Sequence, residues 1–230
     1  MEIKSLTLHS NNLLETKEFY TKTLGFTLVS EDTNYFKIKV GSSILTFTNQ
    51  DSYNNPFYHF AFNIPSNKYS EAKQWTRDRI NLLTENGEDE VEFPHLPAHA
   101  FYFYDPSGNI VEFIARYGIN QDSDLPFTPE SILNISEIGL IVEDAMKTGN
   151  KMIKNGINKR DNKPISVKYL NFMGQKRKGI FVILTQPGRK WLFSEKYSAI
   201  FPLEIELDNS KILKVNSNKD FLIIDTVNDR

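Results

Sequence analysis

Residues 3–26 read IKSLTLHSNNLLETKEFYTKTLGF, and the hydrophobic period changes inside this stretch. From Ile3 to His9 the side chains alternate, Leu6 and Leu8 on one face and Ser5, Thr7 and His9 on the other, as a half-buried strand requires. Asn11 and Asn12 then stand where a helix is capped, Leu13, Tyr20 and Leu24 recur at helical spacing, and Gly25 occupies a helix-ending position. Three short runs rich in β-branched and aromatic residues follow: Phe26–Ser30, Tyr35–Val40 and Ser43–Asn49. The first unit is therefore βαβββ.

The same order recurs downstream. Phe57–Ile64 alternates, and Asn67–Leu83 carries Tyr69, Ala72, Thr76, Ile80 and Leu83 as an apolar helical stripe. Glu88–Phe93, Ala100–Asp105 and Asn109–Arg116 are strand-like, the last two joined by the turn Asp105-Pro106-Ser107-Gly108. Residues 1–116 make a first module of two units. Residues 117–134, YGINQDSDLPFTPESILN, are polar, hold Pro126 and Pro129 and show no period, so they read as a linker. A third unit begins at 135, with a strand Ile135–Val142, a helix Ala145–Asn155 stopped by Gly156, and paired strands Ser166–Met173 and Gly179–Thr185. Beyond Pro187 only Leu203–Leu207 and Phe221–Asp225 suit strands and no helix lies between them, so residues 135–230 form a second module with a degenerate fourth unit.

Composition narrows the chemistry. The 230 residues include 27 Lys+Arg and 29 Asp+Glu, a formal net charge of -2, which disfavours nucleic acid and anionic membrane surfaces as partners. No cysteine is present, so thiolate nucleophiles, disulfides and Cys-ligated metals are excluded and a metal must use His and carboxylates. No apolar run reaches membrane-spanning length and the N-terminus lacks a signal-peptide pattern, so a cytoplasmic location is expected. No glycine-rich phosphate loop is present. The aromatics lack interleaved basic residues and suit a core and cavity wall rather than a base-stacking platform. Lys176, Arg177 and Lys178 suit a solvated hairpin turn, or less readily a contact with an anionic ligand, and His95 and His99 a surface loop, with the rim of a binding cavity as the alternative.

Three motifs, SLTLHSNNLLETKEFYTKTLGF (5–26), FYHFAFNIP (57–65) and FYFYDPSGNIVEF (101–113), occur in an order and spacing that resembles the vicinal oxygen chelate superfamily, which includes glyoxalase I, extradiol dioxygenases and bleomycin-resistance proteins. The resemblance implies an α+β fold in which paired βαβββ modules form cup-shaped mixed sheets, with a divalent metal in a cup chelating neighbouring oxygens of a small molecule. It also places the family's histidine ligand on His59 and its glutamate ligand on Glu112. Strand alternation points both toward one face.

The third ligand departs from the family pattern. The family's first-strand frame begins at Ser5 in the first module, and Ser5 is a poor ligand; in the second module the corresponding frame, EIGLIVED (137–144), begins at Glu137. A cup built from the second and third units would unite His59, Glu112 and Glu137. The rival set uses His9, four residues and about 13 Å along the strand from Ser5. A metal site of this kind suits Mn, Fe, Co, Ni or Zn. Tyr102 and Arg116 share the expected cup face and, with His9, are the candidate substrate-binding residues, while Arg116 equally suits a counter-ion for a buried carboxylate.

Two functions follow from the resemblance. The first is a metal-dependent lyase, isomerase, dioxygenase or thiol transferase acting on a small oxygenated metabolite or xenobiotic, with its acid and base residues unassigned. The second is a metal-free protein that sequesters an aromatic drug or metabolite, favoured by Ser5 and the degenerate fourth unit. Two modules in one chain fit a monomer or a weak homodimer.

Overall fold

The computed structural model of the chain describes residues 1–50 and 55–226. Residues 51–54, and residues 227–230 at the end of the second expected module, lie outside the described residues. The first unit consists of β1 (Ile3–His9), α1 (Leu13–Glu18, extended by a π-helical turn Phe19–Thr23), β2 (Leu28–Glu31), β3 (Tyr35–Val40) and β4 (Ser43–Thr48). The second consists of β5 (His59–Ile64), α2 (Tyr69–Arg77), β6 (Val91–Glu92), β7 (Ala98–Tyr104) and β8 (Ile110–Arg116). The third has β9 (Asn134–Ile141), α3 (Ala145–Lys154), β10 (Asn171–Gln175) and β11 (Ile180–Thr185), and the fourth only β12 (Leu203–Leu207), β13 (Lys211–Val215) and β14 (Phe221–Asp225).

These strands form two curled mixed sheets, and each crosses the chain's midpoint. One sheet runs β14-β13-β12-β1-β4-β3-β2 and joins the fourth unit to the first; the other runs β10-β11-β9-β5-β8-β7-β6 and joins the third to the second. The α+β class and the tandem βαβββ plan hold. Between the sheets lies a continuous apolar cluster, with Leu6, Leu8, Phe36 and Phe47 from one and Phe60, Phe62, Phe101 and Phe113 from the other. Burying that many aromatic rings is the main stabilising term. Among the described residues no helix is long and apolar enough to cross a membrane.

Several local expectations are corrected. The side chain of Asn12 does not cap α1; its amide donates to Glu15 at 2.6 Å instead. Ser166–Leu170 alternates in sequence but does not pair, and Val167 and Tyr169 are exposed. His99 is on β7 rather than in a loop, with Nδ1 2.9 Å from the Tyr117 hydroxyl. In the fourth unit β12, β13 and β14 form an antiparallel meander, so the helical crossover that makes the first and last strands of a full unit parallel is missing.

The turn at Asp105 ties the units together. Its carboxylate accepts hydrogen bonds from the Asn109 backbone N–H at 2.9 Å, the Asn109 side-chain amide at 2.7 Å and the Tyr20 hydroxyl at 2.9 Å. Ser107 Oγ lies 2.6 Å from Ser10 Oγ and 2.7 Å from Thr16 Oγ1, binding the turn to the β1–α1 junction. Burial nevertheless raises the Asp105 carboxyl from its ordinary 3.8 to about 6, against the opposing effect of its hydrogen bonds. A carboxyl with a raised folded pKa binds its proton more tightly when folded, so its destabilising effect is absent below about pH 4 and complete above about pH 6. Chemical denaturation across this range is expected to show the wild type losing about 3 kcal/mol relative to Asp105→Asn as pH rises from 4 to 7. Parallel stability curves would contradict it.

Candidate metal centre

The site follows from the pleat of the second sheet. Along β5, Phe60, Phe62 and Ile64 enter the core between the sheets, which turns His59, Ala61 and Asn63 to the concave face. On β8 the same alternation sends Val111, Phe113 and Ala115 to the core and Ile110, Glu112, Ile114 and Arg116 to the cup. Glu137 on β9 lies opposite Ala61, and Tyr102 on β7 opposite Glu112. Between Ala61 and Phe62 the partner register jumps from Glu137 to Ile135, leaving Ser136 as a bulged extra residue. The bulge brings Ser136 Oγ to Arg116 Nη2 at 3.1 Å.

His59, Glu112 and Glu137 thus converge, with one donor atom of each lying within 4.8 Å of the others. His59 Nε2 is 3.5 Å from Glu112 Oε2. The other ring nitrogen, Nδ1, lies 3.1 Å from the Ile110 carbonyl, so donating there fixes the tautomer that leaves the Nε2 lone pair facing the carboxylates. All three residues are buried, at 6%, 2% and 5% exposure. Burial pushes the His59 pKa down, so the imidazole is neutral near pH 7. Burial first, and then the neighbouring Glu137 charge, push the Glu112 carboxyl well above the usual carboxylate range, while Arg116 opposes the shift. The Tyr102 hydroxyl lies beside Glu112 and its own pKa is raised by burial.

Arg116 is the counter-ion of Glu137. Its Nη2 donates to Glu137 Oε1 and its Nε to Asn63 Oδ1 at 3.2 Å, and the residue is 3% exposed. A cavity of about 340 Å³ opens above these groups. Phe172 and Ile183 form one wall, Phe93 to Leu96 the rim opposite, and Trp191 and Leu192 lie across it. Trp191 packs on His59 with ring centroids 4.7 Å apart, and Phe193 stacks on Tyr102 at 4.8 Å. Gly139 permits this approach, since a Cβ there would stand 3.0 Å from the Trp191 ring.

The structure brings five of the expected site residues to this cup: His59, Glu112, Glu137, Tyr102 and Arg116. His9 is not among them. It lies on β1 in the other sheet, with Nδ1 2.8 Å from the Gln50 carbonyl, and does not line the cavity. His95 is the exposed loop residue expected, and it also lines the cavity rim. Lys176–Lys178 form a 3-10 turn between β10 and β11. Sequence reasoning missed Arg160 and Trp191, which line the cavity from segments without strand or helix period. The only available signal was an isolated arginine in the polar run 158–164 and a tryptophan in a stretch otherwise unassigned.

Residues 2–113 match the family model of the Glyoxalase/Bleomycin resistance protein/Dioxygenase superfamily, and residues 135–189 match that of the toxoflavin-degrading enzyme. No curated protein matches the chain. Among solved structures, a "putative dioxygenase" from Bacillus subtilis subsp. subtilis str. 168 is similar with a TM-score of 0.60 and 14% identity, over 98% of this chain and 85% of that one. A glyoxalase I mutant from Zea mays is similar with a TM-score of 0.54 and 18% identity, over 86% of this chain and 70% of that one. Both likenesses concern the fold. The match over residues 2–113, just under half of the chain, and the paired curled sheets together show a likeness to the glyoxalase, bleomycin-resistance and dioxygenase superfamily in the first module and a shared fold over the whole chain.

Proposed function

We propose that the protein is a divalent-metal-dependent enzyme acting on a small oxygenated molecule, with His59, Glu112 and Glu137 as the metal ligands. The observation that carries this reading is the convergence of one neutral imidazole and two carboxylates, each buried, at the floor of an open cavity. The donor set fits a cation on its own chemistry. Arg116 pairs with Glu137, while Glu112 has no Lys or Arg ion pair among the described residues, and burial together with the Glu137 charge raises its pKa, an arrangement that a cation held between the two carboxylates would relieve. A bound Mn, Fe, Co, Ni or Zn ion would supply that charge and act as a Lewis acid toward two neighbouring substrate oxygens.

The surrounding residues have definable tasks. The Ile110 carbonyl orients His59, Arg116 fixes Glu137, and Tyr102 supports Glu112. Trp191 packs on His59 and presents a flat apolar face to the cavity, and Phe193 backs Tyr102. The match of residues 135–189 to the toxoflavin-degrading enzyme covers the half of the cup that supplies Glu137 and the Phe172 wall, which supports a degradative reaction on a small molecule. A metal-free binding protein is the competing outcome.

Elemental mass spectrometry of protein purified without chelators is expected to find close to one equivalent of divalent metal. His59→Ala and Glu137→Ala should each weaken metal affinity by about 100-fold or more. Protein that stays metal-free after incubation with Mn, Fe, Co, Ni and Zn would leave the binding-protein reading.

The chain has two tryptophans, and Trp191 packs against His59. Titration with Ni(II) or Co(II) should therefore quench intrinsic fluorescence, and the quench should vanish in both Trp191→Phe and His59→Ala. Quenching that persists in Trp191→Phe would place the metal elsewhere.

Replacing Arg116 by Met leaves Glu137 buried without its partner. In chelator this should cost about 3–5 kcal/mol of stability, and saturating metal should raise the melting temperature of the variant more than that of the wild type. Equal metal-induced shifts would show that Arg116 and the cation do not share a carboxylate.

A further inference from the structure

Among the described residues, Arg160 Nη1 is the buried side-chain nitrogen that has no hydrogen-bond partner. Its position is fixed without help from the guanidinium. The Arg160 backbone N–H donates to the Phe172 carbonyl at 2.9 Å, Lys159 bridges to Met173, and Gly174 N–H donates to the Asn158 carbonyl at 2.8 Å. Residues 158–160 thereby lie along β10 as a short extra edge. The guanidinium stacks on Phe172, with Cζ 4.0 Å from the ring centroid, and lines the cavity that contains the His59, Glu112 and Glu137 cluster.

The charge balance of the cavity points the same way. Its lining carboxylates are Glu112 and Glu137, both in the proposed ligand set, and Arg116 is already committed to Glu137. At the rim Lys190 pairs with Glu195 at 2.8 Å, and Arg189 donates to the Lys168 carbonyl at 3.3 Å. Arg160 enters no ion pair within 4 Å among the described residues, and Glu137 and the adjacent Asp161 act on its charge only from a longer distance. A permanently charged, planar group seated on an aromatic face and lining the cavity is arranged for a planar oxyanion.

We propose that Arg160 recognises a carboxylate on the substrate, separate from the two oxygens offered to the metal, so that the substrate class is an oxygenated ring acid. This rests on the cavity being the substrate site, as argued above, and adds a requirement that the metal centre alone does not impose. Phe172 holds the guanidinium plane from one side, while Trp191 and Tyr102 supply flat surfaces for the ring. Arg160 is a specificity residue, distinct from the ligands.

A matched pair of probes tests this by calorimetry on Ni(II)-loaded protein: catechol, which offers two oxygens, and 2,3-dihydroxybenzoate, which adds a carboxylate. Wild type is expected to bind the acid about 10- to 100-fold more tightly, and Arg160→Gln to reduce the preference below about threefold while catechol affinity changes by less than about threefold. Retained catechol binding also shows that the variant is folded. Equal affinities in the wild type, a preference that survives Arg160→Gln, or failure of both probes to bind would overturn the proposal. The same titrations on metal-free protein separate it from the metal reading. A preference that needs Arg160 but not metal upholds the carboxylate site and removes the metal centre; metal-dependent binding of both probes with equal affinity does the reverse.

Discussion

Parallel strands have no hairpin between them to fix their register, and β5 and β8 are parallel. Asn109 supplies the missing constraint. Its side-chain oxygen accepts the Tyr58 N–H at 2.8 Å, the next residue, Ile110, donates its N–H to the Tyr58 carbonyl at 2.8 Å, and the Asp105 carboxylate holds the Asn109 amide. With that register His59 stands opposite Ile110 and Ala61 opposite Glu112, and both ligand candidates face the cup. A slip of one residue in β8 would turn Glu112 into the aromatic core and bring Phe113 out. The buried polar turn tolerates an ionisable carboxyl in an apolar setting because the geometry of the site depends on it.

This dependence explains how much was legible in the sequence. The change from a period of two to a helical period in residues 3–26, repeated after Phe57, exposes the unit plan, and the turn Asp105-Pro106-Ser107-Gly108-Asn109 marks where Glu112 must fall. Glu137 was readable because its frame repeats that of the first strand. Other features depend on tertiary partners. Val167 and Tyr169 alternate like a strand, but Asn171 folds the segment back, its amide bonding the Ser166 and Tyr169 carbonyls, so no ladder forms. In Lys211–Val215 the reverse holds: a short, lysine-containing run becomes β13 because β12 and β14 flank it. Arg160 and Trp191 lie in loops whose position is fixed by contacts remote in sequence, and no period announces them.

The two sheets show how one plan yields one equipped cup. Ser5 pairs with Glu206 across β1 and β12, as Glu137 pairs with Ala61 across β9 and β5. Counting two residues back along each partner strand places Glu204 where the second sheet has His59. Glu204 is engaged by Lys214, directly opposite it on the antiparallel β13, at 3.1 Å, and the place of Glu112 in the other sheet is taken by Ile212, opposite Glu206. The first sheet has therefore settled its own charge with a local salt bridge. The loss of the crossover helix in the fourth unit is consistent with this, because the cup on that side makes no demand on the register of a fourth parallel strand.

In the second sheet the charge is not settled locally. A buried carboxylate is stable when a cation or several donors face it, and here one guanidinium, already bonded to Asn63 and Ser136, pairs with Glu137, while Glu112 meets only His59 and Tyr102. Replacing either glutamate by an apolar residue would remove the burden, and the fold would lose no strand pairing, since the ladder uses backbone groups. The arrangement makes physical sense when a charge from outside completes it at the cup floor. Arg160, which lines the same cavity, is a cation stacked on Phe172 with one nitrogen that makes no hydrogen bond. A pair of carboxylates at the floor and a hydrogen-bond donor without a partner on the wall call for ligands of opposite charge. A metal ion and a carboxylate-bearing ring, bound together, would satisfy both, which gives the cavity a reason to remain open rather than collapse onto its own side chains.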